Sequence, residues 1–303
     1  MPKVASGLWA SAAVATVMVS FALNSIITRY LVLGSFIDPF PLTIIRFLSG
    51  LGVLQLLALT RPGKLGRRKP RLADAVGGLF LGAYAFAISY GYTAISASVG
   101  TFVFYTFVVI TMGAYSVAKE GERTTPRLIA SLLLGIFGVL LISLGPANAV
   151  SIPGVAMMAV TGVSWGLYSV HGKRFENYFG YTYFSFLTFG LASAGLALVA
   201  YPFDGSVWTG IPIPDLGLAL YLGMVSTAPM YVLWNRVLKQ LGASQGGLVQ
   251  LLVPAITALL GVTLLDEKVT TTLVLGGATI GASIYLSSLR QSKRVDAVAE
   301  AAS

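Results

Sequence analysis

The stretch Val163–Lys173, VSWGLYSVHGK, echoes Val19–Arg29, VSFALNSIITR, near the start of the chain. At one constant offset Val19, Ser20, Leu23 and Ser25 meet Val163, Ser164, Leu167 and Ser169, while Phe21, Ile26 and Arg29 meet the similar Trp165, Val170 and Lys173. An internal repeat changes the reading of a whole fold, so it is tested before any other feature. One short match among helices rich in Ala, Gly and Val carries little alone. It gains weight when the rest of each half follows the same order.

The composition says where such a chain can live. Of its 303 residues 56% are apolar and only 10% charged, with a mean hydropathy of +0.82, whereas a soluble domain carries about 25% charged residues. The chain reads as an integral membrane protein whose first partner is the lipid bilayer. With no Cys and a single His, it has no material for disulfides, thiolate chemistry or sulfur-ligated metal. No HExxH and no phosphate-binding Gly-rich loop appears, so no cofactor is expected. The net charge of +9 is read as the mark of a membrane face rather than of nucleic-acid binding. The apolar run from Leu8 to Thr28 is longer than the core of a signal peptide and is repeated later, so it is read as a retained helix.

A helix needs about 20 mostly apolar residues to cross the hydrocarbon core. Ten segments qualify: Leu8–Tyr30, Pro39–Thr60, Leu72–Ala94, Ser98–Ala118 and Arg127–Leu144, then Pro153–Gly172, Thr182–Tyr201, Asp215–Val237, Gln245–Leu265 and Thr270–Leu289. Of the 20 Lys and Arg, all but Arg29, Lys268 and the mid-span Arg46 fall in loops or tails on one side. The rule that basic residues stay inside then places both termini in the cytoplasm. Five helices per half is an odd number, so the second copy enters the membrane from the opposite side. The expected fold is therefore all-α and integral to the membrane, with ten transmembrane helices as two inverted five-helix repeats around a central cavity. The repeats occupy residues 1–148 and 149–303, joined through the apolar junction Gly145–Ile152. Inverted repeats with a midplane site are an arrangement typical of secondary transporters.

The stretch Gly242–Lys268, GASQGGLVQLLVPAITALLGVTLLDEK, resembles the junction of the fourth and fifth helices in the drug/metabolite transporter superfamily, EamA type. Ser96–Arg123 is its degenerate partner in the first half, with Glu122 opposite Glu267 but no Pro opposite Pro254. Arg46 in PFPLTIIRFLSGL is similar to the Arg of that family's second helix, and Trp165-Gly166 to a Trp-Gly in its first. Within the family the chain most resembles bacterial aromatic amino acid exporters. The resemblance implies a bacterial inner-membrane protein, a cavity lined by the first, third and fourth helices of each repeat, and alternating access. It also implies a small-molecule substrate such as an amino acid. Nothing in the sequence demands more than one copy of the chain.

Helical spacing nominates the lining residues. Asn24 and Thr28 share a face with Phe21, and Trp165 with Tyr168 in the equivalent helix; Tyr84, Tyr105, Met230 with Trp234, and Gln250 mark the others. The bland reading of Trp165 and Tyr168 is packing or an interfacial belt. The amides of Asn24 and Gln250 must point inward, to a cavity or to a neighbouring helix. Pro229 and Pro254 suit bending parts of a gate, or static kinks. The pairs Gly78/Gly82, Gly162/Gly166 and Gly277/Gly281 have the spacing of close helix contacts, and Glu122 and Glu267 that of helix caps.

Gly242–Gly246, GASQG, fits the nucleophile elbow GxSxG, but an elbow follows a strand and needs a later Asp and His, whereas the single His171 lies upstream. Ser244 is read as a helix cap or as the cavity end of its helix. His171 is read as a satisfied interfacial residue. The acids all fall in loops, tails or outermost turns, so no buried carboxylate is expected. The leading function is export of small, partly apolar metabolites, with a nucleotide sugar as the alternative substrate class. An intramembrane lipid enzyme using Ser244 or His171, and a non-transporting scaffold, are the competing classes.

Overall fold

The computed structural model describes residues 2–34, 37–65, 68–95, 97–121, 125–143, 151–200, 208, 210–264, 271–272, 274–283 and 285–286. Residues 145–150 of the junction Gly145–Ile152, Glu122, Glu267 and the basic tail lie outside these residues. Every long element among them is helical: α1 (Pro2–Leu33), α2 (Pro39–Thr60), the short α3 (Pro62–Leu65), α4 (Leu72–Ala94), α5 (Ala97–Lys119), α6 (Pro126–Ser143), α7 (Ile152–Lys173) and α8 (Tyr178–Ala200). Then follow α9 (Ile213–Tyr221), a π turn (Leu222–Thr227), α10 (Ala228–Leu238), α11 (Ala243–Val249), α12 (Leu252–Leu264) and α13 (Val274–Ser283).

Among the described residues six helices are long and apolar enough to cross a membrane: Trp9–Leu33, Pro39–Thr60, Leu72–Ala94, Tyr178–Val199, Ile213–Leu238 and Ala243–Leu260. The distribution of polarity agrees with a lipid environment. Leu59, Leu79, Leu133, Leu191 and Leu198 stand exposed, while Asn24, Thr28, Arg46, Thr227, Asn235 and Gln250 are buried. That arrangement is unfavourable in water and natural in hydrocarbon, where outward groups must be apolar and polar ones need protein partners.

The helix α7 lies at the centre, packed on α4 and α5. Glycines allow this approach. A Cβ at Gly162 would be driven into the Phe104 carbonyl of α5, and one at Gly166 would come within 2.9 Å of Thr111 Cβ. Gly78 and Gly82 likewise face α8, whereas Gly277 and Gly281 meet nothing within 4 Å among the described residues. The first two small-residue pairs are helix contacts; the third is not one here.

Two expected continuous helices are interrupted. In the π turn the Ala228 N–H reaches back to the Gly223 carbonyl, a five-residue step in place of the usual four. Between α11 and α12 the chain turns at Gln250 and Leu251, with Val253 N–H bonded to the Gln250 carbonyl at 3.0 Å. The prolines follow these breaks. Pro229 sits in the first turn of α10 and Pro254 in the first turn of α12, where a missing N–H costs little. They start helices after a break, where the sequence had suggested kinks within unbroken spans.

Candidate functional site

Aromatic and amide side chains from five helices converge beside α7. Phe21, Asn24 and Ser25 of α1, Tyr84 of α4, Phe104 and Tyr105 of α5, Trp165 of α7 and Tyr231 of α10 line one cavity of about 10 Å³, room for about one water molecule. The predicted central cavity is thus filled by its own walls. Trp165 lies 4.6 Å from the Tyr231 ring, 5.3 Å from Tyr84 and 5.6 Å from Tyr168, while Phe21 meets it edge-on at 5.3 Å. Centroid distances of this order are favourable for aromatic pairs.

The polar groups around this box are tied to one another. Asn24 Nδ2 donates to Thr227 Oγ1 at 3.2 Å, and Thr28 Oγ1 donates to Asn24 Oδ1 at 3.4 Å. Ser226 Oγ donates to the Ser20 carbonyl at 2.9 Å, so the π turn is stitched to α1 by consecutive residues. Trp165 Nε1 donates to Gln250 Oε1 at 2.6 Å, and Gln250 Nε2 donates to the Gly246 carbonyl at 3.1 Å and meets Met112 Sδ at 3.3 Å. Gln250 therefore holds the indole from behind, joining the helix-contact and cavity readings of this residue.

Arg46 is the group that the sequence alone does not assign to the site. It is 1% exposed. Its Nε donates to Thr227 Oγ1 at 2.8 Å, and its Nη2 donates to both Tyr84 and Tyr231 hydroxyls at 3.1 Å. Nη1 is buried without a hydrogen-bond partner among the described residues. The ion pairs among the described residues are Arg68–Asp74 and Lys173–Glu120, so Arg46 has no carboxylate there. Sequence reasoning marked Arg46 as the basic residue within a span; only the fold shows that the cavity-wall tyrosines are its neighbours.

The other nominated residues stand apart from the cavity. Tyr168 is buried one layer back, stacked on Trp165 and accepting from Asn235 Nδ2 at 3.3 Å. Trp234 is buried with Nε1 donating to Ser169 Oγ at 3.0 Å. Met230 is half-buried and outside the cavity lining. Pro229 lines a larger cleft of about 470 Å³ with Asn177, Phe179, Leu233 and Arg236; Pro254 is buried.

At the end of the bundle where α5 and α7 finish and α11 begins, a carboxylate joins the helices. Glu120 accepts from Lys173 Nζ, from the Ala243 N–H at 3.0 Å and from Ser116 Oγ at 3.3 Å. Burial raises its pKa, but the Ala243 amide, Lys173 and Ser116 outweigh this and hold it below the ordinary carboxylate value. Glu120 thus caps α11, one of the two roles expected of Ser244, whose hydroxyl is buried with no hydrogen-bond partner among the described residues.

At the same end Asp74 is 1% exposed, bonded to Arg68 and to the Arg71 N–H at 2.8 Å; Asp215, in the first turn of α9 at the other end of its span, is 7% exposed. Their outermost-turn positions were legible, but the expectation of no buried carboxylate is corrected, because neighbouring helix ends and loops cover these turns. His171 Nε2 bonds the Ala73 carbonyl at 2.9 Å, which leaves it no hydrogen bond from that nitrogen to Ser244. Among the described residues Ser244 and His171 are not paired as nucleophile and base.

A bundle of apolar helices around a polar and aromatic centre, with leucines exposed outside, defines a multi-pass membrane protein. A family model described as the EamA-like transporter family matches residues 8–144 and again 152–289. The chain belongs to this family, within the drug/metabolite transporter superfamily, and is not an enzyme. It is 32% identical to an uncharacterized protein of Pseudomonas aeruginosa over 87% of this chain and 91% of that one. It is 27% identical to an uncharacterized transporter of Clostridium kluyveri over 88% and 89%, and 23% to the uncharacterized transporter YoaV of Bacillus subtilis over 85% and 90%. A crystal structure matches with a TM-score of 0.70 and 21% identity over 93% of this chain and 98% of that one, which is a likeness of fold.

Proposed function

We propose that the protein exports small, partly apolar metabolites, amino acids including aromatic ones, across a bacterial inner membrane. In this reading the segments 1–148 and 149–303 are inverted five-helix repeats, ten spans in all with both termini cytoplasmic. They rock about a midplane site to give alternating access. The observation that carries the reading is the aromatic box at Trp165, Tyr84, Tyr231 and Phe21, built by helices from both segments that the family model matches. Flat rings stack on an apolar side chain, and the Asn24, Ser25 and Tyr105 groups at the wall orient its polar end. In the conformation described the rings collapse onto one another, as expected of a site that opens for its ligand.

Of the buried carboxylates, Asp74 is occupied by Arg68 and the Arg71 amide and Asp215 sits in the first turn of α9, outside the cavity lining, while His171 is occupied by the Ala73 carbonyl. These engagements support a facilitator that moves substrate down its own gradient. Purified protein in liposomes should take up labelled phenylalanine with no imposed pH gradient or voltage, and His171→Ala should leave the rate within about two-fold. Accumulation above equilibrium that requires a proton gradient and disappears in His171→Ala overturns the uncoupled mechanism; absence of any amino acid flux overturns the substrate class. A nucleotide sugar would call for several buried cations around its phosphates, and Arg46 is the cation bonded to the cavity-wall tyrosines.

A further inference from the structure

We infer that Arg46 is the counter-ion for a single carboxylate on the transported molecule. The inference rests on the transport reading above and assigns a residue and a substrate class to its site. A guanidinium is always charged, and enclosing it away from water is expensive unless it is paired. Here the hydrogen-bond partners are all neutral hydroxyls, those of Thr227, Tyr84 and Tyr231, the Phe47 and Tyr84 ring centroids lie 5.3 and 5.7 Å from Cζ, and Nη1 is buried with no hydrogen-bond partner among the described residues. A buried cation with an open donor group and no anion is a site lacking its ligand.

The geometry around it favours a carboxylate. Tyr84 and Tyr231, which accept from Nη2, are themselves walls of the cavity with Arg46 directly behind them, so an anion arriving there meets the two phenols first and, once they part, the guanidinium edge. A phenol both accepts and donates. When a carboxylate takes the planar edge of the guanidinium in the two-point manner such groups favour, the same hydroxyls turn from accepting to donating, and the pair stays satisfied. One guanidinium balances one negative charge. The class selected is a monocarboxylate with an apolar or aromatic body resting on Trp165 and Phe21, and an amine lacking the carboxylate is repelled by the unbalanced cation.

Two isosteric probes decide the matter: 3-phenylpropionate, which keeps the carboxylate and lacks the amine of phenylalanine, and phenethylamine, which keeps the amine and lacks the carboxylate. On the detergent-purified wild-type chain, 3-phenylpropionate should raise the thermal midpoint and phenethylamine should not. Arg46→Gln should lose the response, weakening apparent affinity by about ten- to a hundred-fold, and Arg46→Lys should keep part of it. If Arg46→Gln does not fold, the comparison of the two probes on the wild type still decides. A response to 3-phenylpropionate that depends on Arg46, in a protein that transports no amino acid, sinks the amino acid reading and leaves this one standing. Phenylalanine flux inhibited as strongly by phenethylamine as by 3-phenylpropionate overturns the role of Arg46 while transport stands, and so does a wild type unmoved by 3-phenylpropionate.

Discussion

Trp165 faces the cavity with its ring and Gln250 with its indole N–H, and the two attachments have separable effects. Trp165→Ala removes both and opens a hole in a core where the residue is 2% exposed, a loss of about 3–5 kcal/mol that would obscure any effect on flux. Trp165→Phe keeps an aromatic wall and strands the Gln250 amide oxygen. The expected result is a destabilisation of about 1–3 kcal/mol by chemical denaturation in detergent, with flux per folded molecule reduced. Periodicity alone did not reach the neighbouring Tyr231. Met230 and Tyr231 both follow Thr227 on the same helical face at three and four residues, so spacing cannot choose between them; the packing of the helices places Tyr231 in the cavity wall and leaves Met230 beside it. Asn24 was legible for a simpler reason, since an amide in the middle of an apolar run has nowhere to go but inward.

Helix ends and helix contacts follow local rules, and most of them were readable. The span Pro39–Thr60 begins at a proline and ends before Arg61, and Leu72–Ala94 begins where the basic loop stops; the observed helices have the same bounds. The interruptions at Leu222–Thr227 and at Gln250 were hidden, because neither contains a proline and both are tied to α1 and α7 by contacts distant in sequence. Close approach predicts a contrast between two glycines of the same motif type. Gly162→Ala should sharply reduce the yield of folded protein, since the new Cβ meets the backbone of α5, whereas Gly281→Ala, open among the described residues, should leave the thermal midpoint unchanged or slightly raised. Size-exclusion profiles and melting curves of the two variants check this. The tie at Glu120 predicts a pH dependence. Its carboxyl is held below the ordinary value, so the contribution of the tie is complete above the ordinary carboxylate range and is lost as pH falls through the depressed value. Melting midpoints taken from about pH 6 down to about pH 3 should fall more for the wild type than for Glu120→Gln.

For the molecule as a whole, the twice-matched family model and the one-sided placement of basic residues make topology the property to test. A reporter fused after Leu144 should read as extracytoplasmic and one after Arg290 as cytoplasmic; the same signal from both would break the inverted arrangement. The π turn has a further consequence, for what the chain can lose. In a regular helix, removing one residue swings everything beyond it by about 100°, which would carry a buried face out to lipid. Leu222–Thr227 already holds a surplus residue, and deleting the lipid-exposed Val225 lets the ladder close to ordinary four-residue steps with α9 and α10 keeping their faces. That deletion should yield folded protein, whereas deleting Leu79 from the unbroken α4 should not. Because Thr227 moves relative to Arg46 when the turn closes, the shortened chain should fold and yet transport poorly, so that the spare residue is a slack in the helix kept for the sake of the site.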